Sequence, residues 1–190
     1  MPLTYFGDQA DNTDDSGSPS ITMWTLFTAP ISGQIGELSA KLWNWTGTTT
    51  VRLAVYDSTG TTLICQGSAS VTVTGASPGS WFGHLTQADM TPNPASLVGG
   101  TTYLLVFSGT NLGLRYDSTT GDSPDTQFNL ISYAAGGFPV SLPSPTSAGN
   151  TYSVRCGLIA GGGGGSDAGM GGQIKRFPIR QRPFAPGLAR

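Results

Sequence analysis

Residues 51–60 read Val-Arg-Leu-Ala-Val-Tyr-Asp-Ser-Thr-Gly, and Thr-Thr-Leu-Ile-Cys follows. Apolar residues at 51, 53 and 55 alternate with Arg52 and Tyr56, which is the two-residue period of a half-buried β-strand. The Asp-Ser-Thr-Gly segment has the composition of a hairpin turn. This stretch therefore predicts a strand that turns back into an antiparallel partner.

The same alternation extends to both sides. Leu38, Ala40 and Leu42 share one face of a candidate strand from Gly33 to Trp45. Ile35 is out of phase with Leu38, and the glycine between them predicts a β-bulge. Further strand candidates are residues 21–28, 62–68, 71–74, 81–85, 102–107, 112–116, 126–132 and 152–158.

Composition argues against helices. The 190 residues include 28 Gly, 24 Thr and 20 Ser, but one Glu and two Lys. Good helix formers for a solvated face are almost absent, which excludes a helical bundle. We predict an all-β protein: one antiparallel, two-sheet jelly-roll sandwich of eight or nine strands, with an extended C-terminal arm.

The chain divides into four segments by pattern. Residues 1–20 are predicted to form an acidic loop, 21–160 the β-sandwich, 161–172 a glycine-rich tether and 173–190 a docking arm. The charge divides with them, because residues 1–160 carry ten acids against four bases, and residues 161–190 carry five bases against one acid. This asymmetry indicates that the arm and the body meet different partners.

The body resembles a known family. The residues that carry the resemblance are Phe27-Thr-Ala-Pro-Ile-Ser-Gly-Gln-Ile-Gly-Glu-Leu-Ser-Ala-Lys-Leu, Val51-Arg-Leu-Ala-Val-Tyr-Asp, Gly100-Thr-Thr-Tyr-Leu-Leu-Val-Phe, Arg115-Tyr-Asp and Tyr152-Ser-Val. They are similar to jelly-roll domains of phage structural proteins and of surface or sugar-binding modules, over about residues 20–160. The resemblance implies a virion accessory role and carries over no catalytic residue.

These observations predict a non-enzymatic structural protein of a phage virion. A capsid decoration or cement protein, present in many copies or as a homo-oligomer, is the main hypothesis. The alternatives are a tail or head-fibre component and a carbohydrate-binding module for cell-surface glycans. The opening residues contain no basic or apolar signal region, so we expect assembly in the host cytoplasm and location in the virion. No apolar run is long enough to cross a membrane.

Catalytic motifs are lacking in the sequence. Its single histidine, His84, falls within a strand candidate, and no Gly-x-Ser-x-Gly motif or phosphate-binding loop occurs. Most carboxylates fall in predicted turns, where Asp bonds its own backbone. We therefore predict no enzyme, no organic cofactor and no nucleic-acid partner.

A structural calcium ion is the one cofactor alternative, with Asp11, Asp14 and Asp15 as the candidate ligands. The competing interpretation is a solvated acidic loop. Cys65 and Cys156 lack the spacing of a zinc site, and we expect two buried or half-buried thiols. A disulfide formed after release from the cell stays open as the alternative.

Aromatic residues form the sharper binding hypothesis. Trp43, Trp45 and Tyr56 fall on the strand faces opposite the aliphatic residues, so they are expected to point outward. Outward aromatics stack on sugar rings or bury themselves against a neighbouring subunit. The third alternative is that they pack beneath a loop or the N-terminal segment.

The arm has the character of a docking peptide. Its prolines exclude a long helix, and apolar residues alternate with basic ones. We expect the apolar residues to enter pockets on other virion proteins, and the bases to contact acidic rims. The predicted docking residues are Lys175, Arg176, Phe177, Ile179, Arg180, Arg182 and Phe184.

Overall fold

A computed structural model describes residues 2–8, 14–76, 79–117, 126–143, 146–148 and 151–161, with the backbone alone for 14, 15, 115–117, 126–129, 146–148 and 151. All strand pairings in this part of the chain are antiparallel, and one short 3₁₀ turn, Gln87–Asp89, interrupts them. The strands are β1 (Leu3–Gly7), β2 (Asp14–Thr28), β3 (Gly33–Asn44), β4 (Thr49–Asp57), β5 (Leu63–Gly67), β6 (Val71–Val73), β7 (Ser80–His84), β8 (Met90–Thr91), β9 (Ser96–Leu97), β10 (Thr102–Asp117), β11 (Thr126–Asn129), β12 (Thr146–Ala148), β13 (Thr151–Tyr152) and β14 (Val154–Ala160).

Hydrogen bonds join these strands into one network of order β1-β14-β3-β10-β2-β11-β12, with the remaining strands paired to β3, β4, β5 and β10. The prediction of an all-β antiparallel protein is confirmed. Among the residues described, no helix has the length and apolar character needed to cross a membrane.

Strand β10 connects two regions of this network. One edge pairs with β2 along almost its whole length, while the other pairs first with β4 and then with β3. The change of partner occurs at Asn111, which has a positive φ of 52°. Asn tolerates this left-handed conformation better than most residues. Its carbonyl accepts hydrogen bonds from the Thr49 hydroxyl and the Trp45 amide, which fix the corner.

The main core is one cluster of buried residues to which β3, β14, β4 and β10 all contribute. The predicted alternation is confirmed, since Leu38, Ala40 and Leu42 of β3 meet the aliphatic residues of β4 there. Cys65 and Cys156 are buried in the same cluster as free thiols, as expected.

A second, smaller core lies on the opposite side of β4 and β10. It consists of Trp24, Ala54, Tyr56, Leu104, Val106 and Phe138. Phe138 belongs to the segment that follows β11, and its partners there include Tyr133 and Leu142. This segment covers the face of β4 that carries Tyr56, as in the alternative in which an aromatic residue packs beneath a loop.

Three expectations about strand boundaries were wrong. The predicted loop at residues 1–20 contains β1 and the first half of β2. Residues 102–107 and 112–116 lie in one continuous strand, and the described residues form fourteen strands rather than eight or nine. The reason is tertiary pairing, because the polar start of β2 has no apolar alternation and is extended through its bonds with β10.

Two local predictions are confirmed. The register between β3 and β14 shifts opposite Ile35 and Glu37, which places the bulge at Gly36. The Asp57 carboxylate accepts hydrogen bonds from the backbone N–H groups of Thr61 and Thr62 at 2.9 and 3.2 Å, which closes the predicted turn. Residues 162–190, with most of the predicted tether and the whole docking arm, lie outside the described residues.

Candidate functional site

The outward side of β3 carries the candidate site. Its even-numbered residues from Leu38 to Leu42 enter the core, so Glu37, Lys41 and Trp43 project from the other face. Aromatic and charged residues of β1, β14 and β7 border the same face through the register of the sheet. We call this surface the outer aromatic face and define it by Tyr5, Glu37, Trp43, Trp45, Trp81 and Arg155.

Arg155 occupies the centre of one half of this face. Its guanidinium carbon lies 4.5 Å from the centroid of the Tyr5 ring and 4.1 Å from that of Trp81, so the cation contacts aromatic rings of two strands. Its Nη2 donates to Glu37 Oε1 at 2.8 Å, and its Nε donates to the same oxygen at 3.1 Å and to Ser39 Oγ at 3.0 Å. Arg155 thereby links β1, β14, β3 and β7.

Glu37 is the chain's single glutamate, and it is fully engaged. In addition to Arg155, the Ser39 hydroxyl donates to Oε1 and the Tyr5 hydroxyl donates to Oε2, each at 2.7 Å. Burial by itself would raise the pKa of Glu37, but these hydrogen bonds and the charge of Arg155 outweigh it and lower the pKa. A carboxylate held in this way stabilises the sheet and is a poor general base.

The other half of the face rests on two glycines. Gly113 of β10 pairs with Trp43 on one side and with Gly17 of β2 on the other, so three strands share one cross-strand row. A Cβ added to Gly17 would be equally distant from Cδ2, Cε2 and Nε1 of Trp45 and too close to each. In the plane of the indole, the one point equally distant from these three atoms lies inside the five-membered ring. The added Cβ would therefore lie above the ring, so the indole covers the glycine with its face.

Trp43 covers Gly113 in the same manner, since a Cβ there would clash with Cδ2 and Cε2 of its indole. The Trp43 indole N–H is buried and has no acceptor within the described part of the chain. Among the described residues, this ring is therefore positioned by its contact with the glycine row. We call Trp43 and Trp45, on Gly113 and Gly17, the indole shelf.

The three aromatic candidates from the sequence have different surroundings. Trp45 is 42% exposed and Trp43 is half-buried, so both belong to the outer surface. Tyr56 has 0% exposure, and its hydroxyl donates to the carbonyl of Pro139. For Tyr56 the outward orientation was wrong and the alternative of packing beneath a loop is confirmed, because the segment after β11 packs over it.

Other chemically capable groups are built into the fold. The His84 side chain is 2% exposed, stacks on Gly67, and accepts a hydrogen bond at Nε2 from the Leu53 amide at 3.3 Å. Burial lowers its pKa to about 4. Burial also raises the pKa of Cys65 to about 12 and that of Cys156 well above the ordinary value, so neither thiol is a ready nucleophile.

Two aspartates have similar structural roles. Asp57 closes the turn between β4 and β5, and Asp89 accepts hydrogen bonds from the amide and hydroxyl of Thr86 at the start of the 3₁₀ turn. The calcium candidates give no test, because Asp11 lies outside the described residues and only the backbone of Asp14 and Asp15 is described. Within the described ranges, no group of three or more His, Cys, Asp or Glu side chains is arranged to hold a metal ion.

Sequence reasoning missed Tyr5, Glu37, Trp81 and Arg155. Glu37 did carry a signal, because it is a single glutamate among apolar residues of a predicted strand. The neighbours of Glu37 carried none, since Arg155 is 118 residues away and meets it only through the pairing of β3 with β14. The glycines under the indoles likewise become meaningful only with the register known.

No protein-family model matches this chain, and no curated protein matches it by sequence.

Proposed function

We propose that this protein is a non-enzymatic structural protein of a phage virion, most specifically a capsid decoration protein. In this proposal the β-body is displayed on the particle, and residues 173–190 anchor it to other virion proteins. The proposed anchor residues are those named from the sequence: Lys175, Arg176, Phe177, Ile179, Arg180, Arg182 and Phe184.

One observation carries most of the argument. Strand β14 is hydrogen-bonded to β1 on one side and β3 on the other, and it ends at Ala160. The last described strand is thus already paired on both edges. A basic and aromatic segment after a glycine run is available for a contact outside the body.

The use of the reactive side chains supports a non-catalytic role. Glu37, His84, Asp57 and Asp89 each hold backbone or neighbouring side chains in place. A catalytic acid or base needs to reach a substrate, and these groups are committed to the fold.

The finer fold assignment belongs to the same proposal. We propose that the strands form a two-sheet jelly-roll sandwich, with β3 and β14 in one sheet and β4 with the first half of β10 in the other. Their inward residues share the main core, and β10 changes partner at Asn111 in the way a strand does when it passes between sheets.

Deletion of residues 173–190 tests the anchor. We expect the truncated protein to keep the thermal unfolding midpoint of the full chain, while its copy number on purified particles falls to background. Copy number is measured by quantitative mass spectrometry against the major shell protein. Hundreds of copies of the full chain indicate a decoration protein, and about a dozen or fewer indicate a vertex, collar or tail protein.

Two full-length variants separate the electrostatic contribution of the anchor from its apolar contribution. One replaces Lys175, Arg176, Arg180 and Arg182 by Gln, and the other replaces Phe177, Ile179 and Phe184 by Ser. We expect fewer copies of both variants than of the wild type on the particle. For the variant without the four bases, this difference in copy number should be smaller at high salt, because salt screens the contacts that these bases make in the wild type. Normal incorporation of the truncated protein, or absence of the full chain from particles, would contradict the proposal.

A further inference from the structure

We infer that the indole shelf is a binding site for the pyranose rings of a glycan. This site is separate from the anchoring arm and goes beyond the proposed structural role. It is built by Trp43 and Trp45 on the glycines of β10 and β2.

The geometry of the shelf favours a flat ligand. Each indole has one face against a glycine. The opposite face of Trp45 can meet solvent, because this residue is 42% exposed, whereas Trp43 is half-buried, with its indole nitrogen buried, and is only partly exposed beside it. The negative face of an aromatic ring attracts C–H groups that carry slight positive charge, and it is apolar enough to cover the C–H face of a sugar. Gly17 and Gly113 pair directly, so the two indoles lie about one strand spacing apart, roughly 5 Å. That spacing is similar to the repeat of neighbouring pyranose rings in a sugar chain.

The rim of the shelf supplies polar groups. Thr46 and Thr48 follow Trp45 in the chain and are exposed. Their hydroxyls can exchange hydrogen bonds with sugar hydroxyls. A ligand site with an apolar floor and a few polar groups at its border is the usual arrangement for small molecules.

The size of the shelf argues against a protein partner. Trp45 exposes 42% of its surface, on the order of 100 Å² for a residue of this size. A stable interface between two proteins buries about 800 Å² on each side. Among the described side chains, the other large exposed apolar residues are at 85, 98, 130, 131 and 140, outside the strands that form the shelf. The apolar area that these residues offer beside the shelf therefore fits one or two sugar rings better than a second copy of the chain.

The test uses the full-length protein on a printed glycan array, followed by titration with the strongest glycan and with tetramers of glucose and N-acetylglucosamine. Indole N–H signals in ¹H–¹⁵N NMR report the site. We expect the signals of Trp43 and Trp45 to shift, while that of Trp24, buried in the second core, does not.

Two variants address the shelf without disturbing the core. Trp45→Ala removes one exposed ring, and Gly17→Ala keeps both rings but displaces Trp45 with a Cβ. We expect each to weaken binding about tenfold, with Trp45→Phe closer to the wild type. Leu130→Ala, a substitution of a 68% exposed residue outside the shelf, is the matched control and should bind normally.

Three results would overturn the inference. The first is no glycan bound on the array and no shift at millimolar tetramer. The second is binding that persists unchanged in both Trp45→Ala and Gly17→Ala. The third is a Trp45-dependent dimer in analytical ultracentrifugation, which would make the shelf an interface between copies. None of them bears on the arm, whose role is measured on particles.

Discussion

His84 shows how burial converts a polar side chain into a structural one. Its Nε2 accepts a hydrogen bond from the Leu53 amide, so this nitrogen must be unprotonated in the folded protein. Protonation would break that bond and place a charge in the core near Arg52, while Asp89 offsets the effect only in part. The folded state therefore resists protonation more than the unfolded state does.

This difference predicts a pH-dependent stability. The pKa of His84 falls from 6.5 to about 4 on folding, so the unfolded chain binds more protons between these values. The stability contribution is complete above about pH 6.5, declines as the pH falls, and is lost by about pH 4, for a total of about 3 kcal/mol. Urea unfolding from pH 4 to 8 measures it. In His84→Gln, whose amide oxygen can accept the same bond, the curve should flatten relative to the wild type. Parallel curves for the two proteins would contradict the assignment.

At the scale of elements, Arg155 fastens the edge strand β1 to the rest of the sheet. Among the described strands β1 pairs only with β14, and Tyr5 adds a contact of its ring with the guanidinium and a hydrogen bond of its hydroxyl to Glu37. Trp81 does the same for β7 from the other side of β3. A charge-assisted network of this kind is costly to break by removing one member, because the remaining charge stays buried.

Replacement of Arg155 by Met should therefore destabilise the protein by about 2–3 kcal/mol at pH 7. Adding Glu37→Gln should restore part of the loss, since no carboxylate is then left without its partner. Arg155→Lys should be intermediate, because an ammonium keeps the charge but lacks the planar fork. Urea unfolding gives these energies.

Hydrogen exchange gives the location of the effect. The amides of β1 should lose protection in Arg155→Met more than the amides of β4, which lies outside the network. Uniform loss of protection across the sheet, or a double variant no more stable than Arg155→Met, would show that Arg155 has no special role at β1.

At the scale of the whole molecule, the two cysteines report on the integrity of the main core. Both have 0% exposure and belong to the same buried cluster, Cys65 from β5 and Cys156 from β14. Burial removes them from reagents and raises the pKa of each thiol. We expect no modification by a thiol reagent at pH 8 until the protein unfolds, and two thiols per chain in denaturant.

The measurement is the rate of thiol labelling at increasing urea. Both thiols should react at one rate that follows unfolding, and Cys65→Ala should leave a single thiol with similar denaturant dependence. Rapid labelling of one cysteine without denaturant would mean that part of the core opens locally.

Sequence pattern predicted the structure correctly where a feature depends on residues that are close together in the chain. The alternation in β3 and β4, the Asp57 turn and the Gly36 bulge were all predictable, because each depends on neighbours along the chain. The polar first half of β2 was not, because its extended form depends on β10, about 90 residues later. The N-terminal strand β1 was missed for the same reason, since its partner β14 comes near the end of the body.

The sequence by itself determined the β class, the faces of the central strands and the division of charge between an acidic stretch, residues 1–160, and a basic one, residues 161–190. These properties follow from period, composition and charge, which need no partner. Only the tertiary structure decided that Tyr56 is covered and Trp45 is not, and that Arg155 lies between Tyr5 and Trp81. The exposure and the contacts of a side chain depend on which distant strand or segment packs over it. The register of the sheet determines which residues are brought together in this way.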